Sequence, residues 1–342
     1  MRGAATMGDV ASLAGVSHQT VSRVLNVPET VRPETRDRVL GAIERLGYRR
    51  NVAARALVTR RSQTIGVVSL GTRLFGPTSV VFGIEQAARA AGYYVSIASQ
   101  QTVDAVTLAA ALQRLSEHGV EGVVVIAPQR RAQEALARLA RDLPAVVVDG
   151  HDEGIAPRVY VDHRKGARDV VAHLLAQGVR SVHHLAGPAG WLETQERELG
   201  WRRALEEAGR SAPEPLVGDW SCAAGYAAGL RLAADLEVEA VFAANDQMAL
   251  GLLCALAEGG RTVPGDVLVA GFDDVPEAEF FRPPLTTVRQ DFATLGRRSI
   301  DLLVAQIEGE TVPSSVAVPA ELVVRTSSTR VPVQTAPTTP HP

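Results

Sequence analysis

The chain is short of cysteine, of lysine and of long apolar runs, and of the signatures that catalysis or nucleotide binding would leave. Its 342 residues include only two cysteines, Cys222 and Cys254, with no His/Cys cluster around them at metal-ligand spacing. A disulfide scaffold and a structural metal centre are therefore not legible, and a reduced thiol pair is expected. No basic segment leads into an apolar one at the start, and no run of 18 apolar residues occurs, so neither a secretory leader nor a membrane span is expected and the protein reads as cytoplasmic. No G-x-G-x-x-G or G-x-x-x-x-G-K-[ST] sequence is present, which leaves dinucleotide and P-loop readings without a phosphate cradle. No Ser/His/Asp or paired-carboxylate arrangement is legible, so the sequence points to no enzyme, no cofactor and no metal.

What is present is an ordinary globular composition, 46% hydrophobic and 21% charged, long enough for two or three domains with a sizeable core. The formal net charge of −3 conceals an asymmetry. Residues 1–62 carry 11 Arg against 5 Asp and Glu, a net +6, whereas the remainder carries 24 Lys and Arg against 33 Asp and Glu, a net −9. Positive charge is almost all arginine, Lys165 being the single lysine. A basic head on an acidic body suits a small nucleic-acid module joined to a body that phosphates repel.

The head reads as three helices. Thr6-Met7-Gly8-Asp9 has the form of a capping box with the shorter Asp in place of Glu, opening a helix over about 7–14 that Gly15 ends. Ser17 caps a second helix running to about Leu25, on which Val21, Val24 and Leu25 face inward. His18, Gln19, Ser22 and Arg23 are left outward near its N-terminal half, where a recognition helix meets base edges. Pro33 and Gly47 delimit a third helix with Val39, Ile43 and Leu46 on its buried face. By pattern alone a three-helix bundle without any DNA role fits as well.

From Thr64 onward short apolar runs alternate with amphipathic helical patterns. Examples of the runs are Ile65–Leu70, Tyr94–Ala98, Val123–Ile126, Val146–Val148, Val182–Leu185, Val241–Ala244 and Val267–Ala270. Helices are expected over 80–91, 105–118, 164–177, 196–208, 222–235, 246–258 and 292–307. That alternation means parallel sheets covered on both faces, and the count fits two sheets with a cleft between them.

The head resembles the DNA-binding headpiece of the lactose-repressor (LacI/GalR) family of bacterial transcriptional regulators. The likeness runs through Asp9-Val10-Ala11, Ala14-Gly15-Val16-Ser17, Gln19-Thr20-Val21-Ser22-Arg23-Val24, Asn26, and Thr35-Arg36 to Gly47-Tyr48. It continues over the body to about residue 330, in Leu185-Ala186-Gly187-Pro188, Gly200-Trp201, Gly218-Asp219-Trp220-Ser221, Ala244-Asn245-Asp246-Gln247-Met248, Gly271-Phe272-Asp273-Asp274, Pro283-Pro284-Leu285-Thr286-Thr287 and Gln290-Asp291-Phe292. The resemblance implies an all-α helix-turn-helix headpiece (1–50), a hinge helix or linker (51–62) and an α/β periplasmic-binding-protein-like body of two parallel-sheet subdomains (63–330). These subdomains would be discontinuous, roughly 63–162 with 291–322 and 163–290 with 323–330, the chain crossing between them three times.

On the head, the resemblance implies DNA contacts from Ser17, His18, Gln19, Thr20, Ser22, Arg23 and Asn26. His18, Gln19 and Arg23 take the base-reading positions, where Gln suits adenine and Arg suits guanine. His18 stands where the family's type member has tyrosine, so a related but different operator is expected. Asn51, Ala54 and Leu57 would belong to a hinge helix formed on DNA, with Leu57 from each of two subunits wedged into the minor groove. The segment is too short to hold a helix alone in water.

In the body, the resemblance implies an effector site of Leu74, Gly76, Pro77, Asp149, Arg197, Trp220, Asn245, Asp273, Gln290 and Phe292. Carboxylate, amide and guanidinium groups beside aromatic walls suit a neutral sugar, a galactoside being one form. Asp246 reads as a helix cap, Trp201 as core, and His183 and His184 as structural or surface residues. The stretches 189–196 and 71–75 depart from the family's type member at the rim of this site. The Pro/Thr-rich tail 331–342 is expected to be disordered and lacks the leucine heptads of a tetrameric member, so a homodimer is expected.

The implied function is a sugar-responsive repressor that binds double-stranded operator DNA as a homodimer. The alternatives are a sugar-binding module with no DNA role, or a regulator of opposite sign, an activator or a corepressor-dependent repressor.

Overall fold

A computed structural model describes residues 5–49, 61–70, 74–100, 105–126, 143–149 and 156–330. The hinge candidates Asn51, Ala54 and Leu57 and the tail 331–342 lie outside them. The chain divides into two compact units, 1–62 and 63–342.

In the first unit, α1 (Met7–Ala14), α2 (His18–Asn26) and α3 (Pro33–Leu46) enclose a small core of Val10, Val21, Val24 and Val39. The capping box is formed: Thr6 N–H donates to Asp9 Oδ2 at 2.8 Å and Asp9 N–H to Thr6 Oγ1 at 3.3 Å. Hydrogen bonding from Thr6 holds the Asp9 carboxyl below the usual carboxylate range. Gly15 closes α1 in the left-handed region at φ 63°, which turns the chain into α2. Ile43 and Leu46 are half-buried beside Val39, which with Ala42 forms the buried face of α3.

The second unit holds two parallel sheets. The first is formed by β1 (Thr64–Leu70), β2 (Tyr94–Gln100), β3 (Gly122–Ile126), β4 (Ala145–Val148), β5 (Arg158–Val161) and β11 (Ser315–Val318), in the order β11-β5-β4-β3-β1-β2. The second contains β6 (His183–Ala186), β7 (Leu216–Val217), β8 (Ala240–Ala243) and β9 (Leu268–Ala270), in the order β7-β6-β8-β9. Strands β3, β4, β8 and β9 are buried along their length, as expected of strands covered by helices on both faces. A separate antiparallel pair joins β10 (Thr287–Gln290) to β12 (Ala320–Val323).

Among the described residues, the helices of this unit are α4 (Phe75–Ala90), α5 (Ala105–Glu117), α6 (His163–Ala176), α7 (Leu192–Glu207), α8 (Cys222–Ala234), α9 (Asp246–Glu258) and α10 (Phe292–Ile307). The chain passes between the layers three times, from β5 into α6, from β10 into α10 and from β11 into β12. Two helices start earlier than the sequence pattern predicts, α4 at Phe75 and α7 at Leu192. In α4 the extra turn carries Pro77, whose missing N–H belongs to a group that a first turn leaves unpaired in any case.

One close approach joins two helices that share a core with the first sheet. A Cβ on Gly83 would lie 2.4 Å from Phe292 O, and one on Gly296 would lie 2.3 Å from Gly83 C, so α4 and α10 touch backbone to backbone. That contact sets Phe75 and Phe292 edge to face, with ring centroids 5.8 Å apart. Among the described residues no helix is long and apolar enough to cross a membrane.

Candidate functional site: a cleft cavity and an exposed polar helix

A cavity of about 270 Å³ opens between the two sheets of the body. Its wall is built where parallel strands end, the position that open α/β sheets leave free for ligands. Asp149 follows β4, Asn245 follows β8, Asp273 follows β9 and Gln290 closes β10. Leu74, Gly76 and Pro77 come from the start of α4, Arg197 from α7, Trp220 from the loop before α8, and Phe292 from the start of α10. All ten effector candidates line this one cavity.

Arg197 is the electrostatic centre. Only 3% exposed, it donates from Nη1 to Ala244 O and places Nη2 3.6 Å from Asp273 Oδ1. Its guanidinium lies 3.9 Å over the Phe272 ring, which fixes the plane from below. Asp273 adopts a positive φ of 116° and accepts from Gln290 Nε2 at 2.5 Å. Burial pushes the Asp273 carboxyl up to about 6, against the lowering influence of Arg197 and Gln290.

Asp149 also has a positive φ, 56°, and accepts from Val161 N–H at 3.1 Å. His163 Nε2 stands 3.6 Å from Asp149 Oδ1, while Arg197 Nε–H donates to His163 Nδ1 at 3.4 Å. Burial, and then the Arg197 charge, hold the His163 imidazole below its usual range.

Asn245 lines the cavity and is also engaged within the fold. Its Oδ1 accepts from Met248 N–H at 3.0 Å and its Nδ2 donates to Trp220 O at 3.0 Å, so it caps α9 and ties down the Trp220 loop. Asp246 is therefore not the cap. It lies fully buried in the first turn, where it accepts from Thr287 Oγ1 at 2.6 Å and Val275 N–H at 2.9 Å. Desolvation, with Asp273 nearby, raises its carboxyl well above the ordinary range. Trp201 is core, donating from Nε1 to Val182 O at 2.8 Å. His184 is core as well, stacked on Phe242 at 4.8 Å, whereas His183 is half-buried.

Sequence reasoning passed over Phe75, Glu193, Asp219 and Gln247, which also line the cavity, and Phe272 beneath Arg197. The early start of α7 is what carries Glu193 into the wall, and Trp191 opens that helix with no side-chain cap to announce it. Asp149, His163 and Glu193 each bring an atom within 4.8 Å of the other two.

On the first unit, Ser17, His18, Gln19, Arg23 and Asn26 are exposed along α2, and Thr20 and Ser22 are half-buried. Ser17 caps α2 by accepting from Thr20 N–H at 3.2 Å, and Asn26 Nδ2 donates to Ser22 O at 2.9 Å. These bonds hold the helix, while the side chains of His18, Gln19 and Arg23 make no hydrogen bond among the described residues.

A small helical unit with an exposed polar helix, joined to a two-sheet body with a polar cleft, defines a ligand-responsive DNA-binding protein, and comparison with known proteins gives the family. Residues 6–51 match the family described as bacterial regulatory proteins, lacI family, and residues 171–328 match a periplasmic binding protein-like domain. The lactose operon repressor of Klebsiella pneumoniae is 34% identical over 329 residues, covering 96% of this chain and 93% of that protein. The lac repressor dimer bound to operator and the anti-inducer ONPF is similar with a TM-score of 0.88 at 32% identity, covering 95% of this chain and 99% of that one. The transcriptional regulator CelR–cellobiose complex is similar with a TM-score of 0.70 at 33% identity, covering 94% and 99%. The chain belongs to the lacI family of bacterial regulatory proteins.

Proposed function

We propose that this protein is a homodimeric transcriptional repressor of sugar-utilisation genes, released from its operator by a neutral sugar. The observation that carries the reading is the convergence of the ten candidate effector residues on one cavity, within a chain whose other unit exposes His18, Gln19 and Arg23 on a capped helix. Two copies would set their α2 helices in successive major grooves, about one helical turn apart. Gln19 and Arg23 would read base edges, with Leu57 of the hinge wedged between base pairs of the minor groove.

In the body, Asp149, Asp273 and Arg197 would take sugar hydroxyls, and Trp220, Phe292 and Pro77 would cover the apolar face of the ring. Solved relatives described as an operator-bound lac repressor dimer and a cellobiose complex of CelR support both halves of this reading. A sugar that prefers one arrangement of the body over another shifts operator affinity by the same factor that the operator shifts sugar affinity, with a coupling of about 1–3 kcal/mol. The galactoside class is the finer part of the proposal.

The test uses the protein's own reporters. Trp220 forms part of the cavity wall and Trp191 packs against it with ring centroids 5.8 Å apart. Titration of the full chain with lactose, allolactose, galactose and cellobiose is expected to change tryptophan emission saturably for at least one of them. The change should be lost in Asp273→Ala and Arg197→Ala. Silence with every sugar would remove the effector assignment.

A further inference from the structure

The wall of the cavity holds more carboxyl groups than its cation can serve. Asp149, Glu193, Asp219 and Asp273 all face it, and among the described residues Arg197 is the one guanidinium that lines it. Three of the four are tied to protein donors: Asp149 accepts from Val161 N–H at 3.1 Å, Asp219 from Ser221 Oγ at 2.5 Å and Asp273 from Gln290 Nε2 at 2.5 Å. Glu193 has no hydrogen-bond partner among the described residues. It sits half-buried on the first turn of α7 and forms part of the partition, with Asp149, between the cavity and an adjoining chamber of about 400 Å³.

Several donors are in the opposite condition. Arg197 Nη1 is given to Ala244 O, Asn245 Nδ2 to Trp220 O and Gln247 Oε1, and Gln290 Nε2 to Asp273. A sugar has hydroxyls that can both donate and accept, but its ring and glycosidic oxygens only accept. Among the described lining residues Trp220 Nε1 has no hydrogen-bond partner and Gln247 is engaged only through Oε1, while the carboxyl groups supply several acceptors, so Glu193 protonated would add a donor for those ether oxygens.

The cluster is not built to take a metal ion instead. Because Arg197 Nε–H donates to His163 Nδ1, the imidazole proton is on Nε2, which is buried, without a hydrogen-bond partner among the described residues, and turned to Asp149. A cation would find an N–H there in place of a lone pair.

We propose that Glu193 is a specificity-determining residue of the effector site, entering it as a neutral carboxyl group that donates its proton to an ether oxygen of the sugar. This rests on the reading of the cavity as a neutral-sugar site. The surroundings keep the proton in place. Asp149 and Asp273 approach from the ends of β4 and β9, and desolvation with their charges pushes the Glu193 carboxyl up to about 8. Arg197, one helical turn along α7, acts the other way. Asp219 lines the same cavity, its charge held by Ser221, and His163 lies on α6 beside Asp149. On the chamber side are Arg158 and Arg164, the latter paired with Glu196 at 2.9 Å.

A ligand that needs the protonated form loses affinity as that form is depleted. Above about pH 8 the affinity should fall about tenfold per pH unit, until competing groups intervene. The test measures tryptophan emission of the full chain with lactose, allolactose, galactose, cellobiose and galactosamine at about pH 7 and about pH 9.5. Wild type is expected to bind a neutral sugar more than tenfold more weakly at the higher pH. Glu193→Gln, whose amide donates but does not titrate, is expected to bind several-fold more weakly than wild type near neutrality and to lose the slope. Its operator binding without sugar reports that it is folded.

A slope unchanged in Glu193→Gln overturns the proposal while leaving the sugar site standing. Affinity that rises with pH, or a preference for galactosamine, also overturns it, since Glu193 would then act as a charged acceptor. Binding that requires added zinc and is lost with a chelator does the same. If no sugar binds at either pH, the effector assignment falls and this inference with it. A sugar-free measurement stands beside these: the infrared difference spectrum of wild type minus Glu193→Gln should hold a protonated-carboxyl band near neutral pH, and its absence would contradict the proposal.

Discussion

Arg197 Nη2 lies 3.6 Å from Asp273 Oδ1, with 4% and 8% of the two side chains exposed. One charge alone in that position would be stranded, because neither group reaches water well. Arg197→Met should cost about 3–5 kcal/mol when Asp273 is ionised, the range for breaking a buried pair from one side. Loss of the guanidinium also removes what lowers the Asp273 carboxyl from a still higher value, so the cost should grow as pH rises above about 6. Adding Asp273→Asn should recover part of the loss. Urea midpoints of the two single variants and the double variant measure this directly; additive losses would show the pair to be uncoupled.

Stability should respond to acid through His184. Its Nδ1–H donates to Phe242 O at 3.0 Å, and burial drives the imidazole down to about 4. A histidine depressed in the fold is neutral there and charged in the unfolded chain, so its contribution is complete above about 6.5 and is lost as pH falls towards 4. The size is on the order of 3 kcal/mol. His184→Gln should flatten the acid limb of a plot of urea midpoint against pH.

The raised carboxyls, which include Asp246 as well as Asp273 and Glu193, act with the opposite sign. Each binds more protons folded than unfolded, so stability falls as pH rises, from 3.8 to about 6 for Asp273 and from 4.5 to about 8 for Glu193. Above pH 6.5 the depressed histidines have finished contributing. A decline between about 6.5 and 8 that is shallower in Glu193→Gln is the expected result of a thermal melting series.

Gly187 guards the aromatic wall. A Cβ there would lie 2.1 Å from Trp220 Cη2 and 2.6 Å from Thr194 Oγ1. Gly187→Ala must displace the indole, with an overpacking cost of about 1–3 kcal/mol. Sugar affinity should drop while operator affinity without sugar stays near wild type. Equal losses in both would place the damage in the whole body.

On the headpiece, Ser17→Ala removes the cap of α2 and should cost about 1 kcal/mol of headpiece stability. Gln19→Ala should leave stability alone and relax base preference at one operator position, by about 1–3 kcal/mol of discrimination. A binding-site selection on both variants separates structural from readout effects.

The parts of this fold that were legible are those where a local pattern and the tertiary environment agree. Strands β3, β4, β8 and β9 are nearly uninterrupted Val, Ile, Ala and Phe because helices cover both their faces. Strands β5, β7, β10, β11 and β12 match none of the expected runs; β11 and β12 are four residues each, mostly half-buried or exposed, and hold together through β5 and β10, which are distant in sequence. The cavity candidates were legible through family resemblance, since Asp149, Arg197 and Asp273 are far apart in the chain and meet only where strands end. Glu193 was missed because a pattern that starts α7 at 196 leaves it in a loop; one more turn of helix turns it into the wall. Asp246 looked like a cap by its position before an apolar run, but the cap bond goes to Asn245 and the carboxylate turns inward to Thr287.

The central claim is that a sugar in the cleft cavity releases the protein from DNA. The most direct measurement is binding of the full chain to its own promoter region, titrated with lactose, allolactose, galactose and cellobiose, in wild type and in Asp273→Ala. The account predicts tight binding without sugar, release by at least one of these, and no release in the variant. Tight binding indifferent to every sugar, or release that survives Asp273→Ala unchanged, would contradict it.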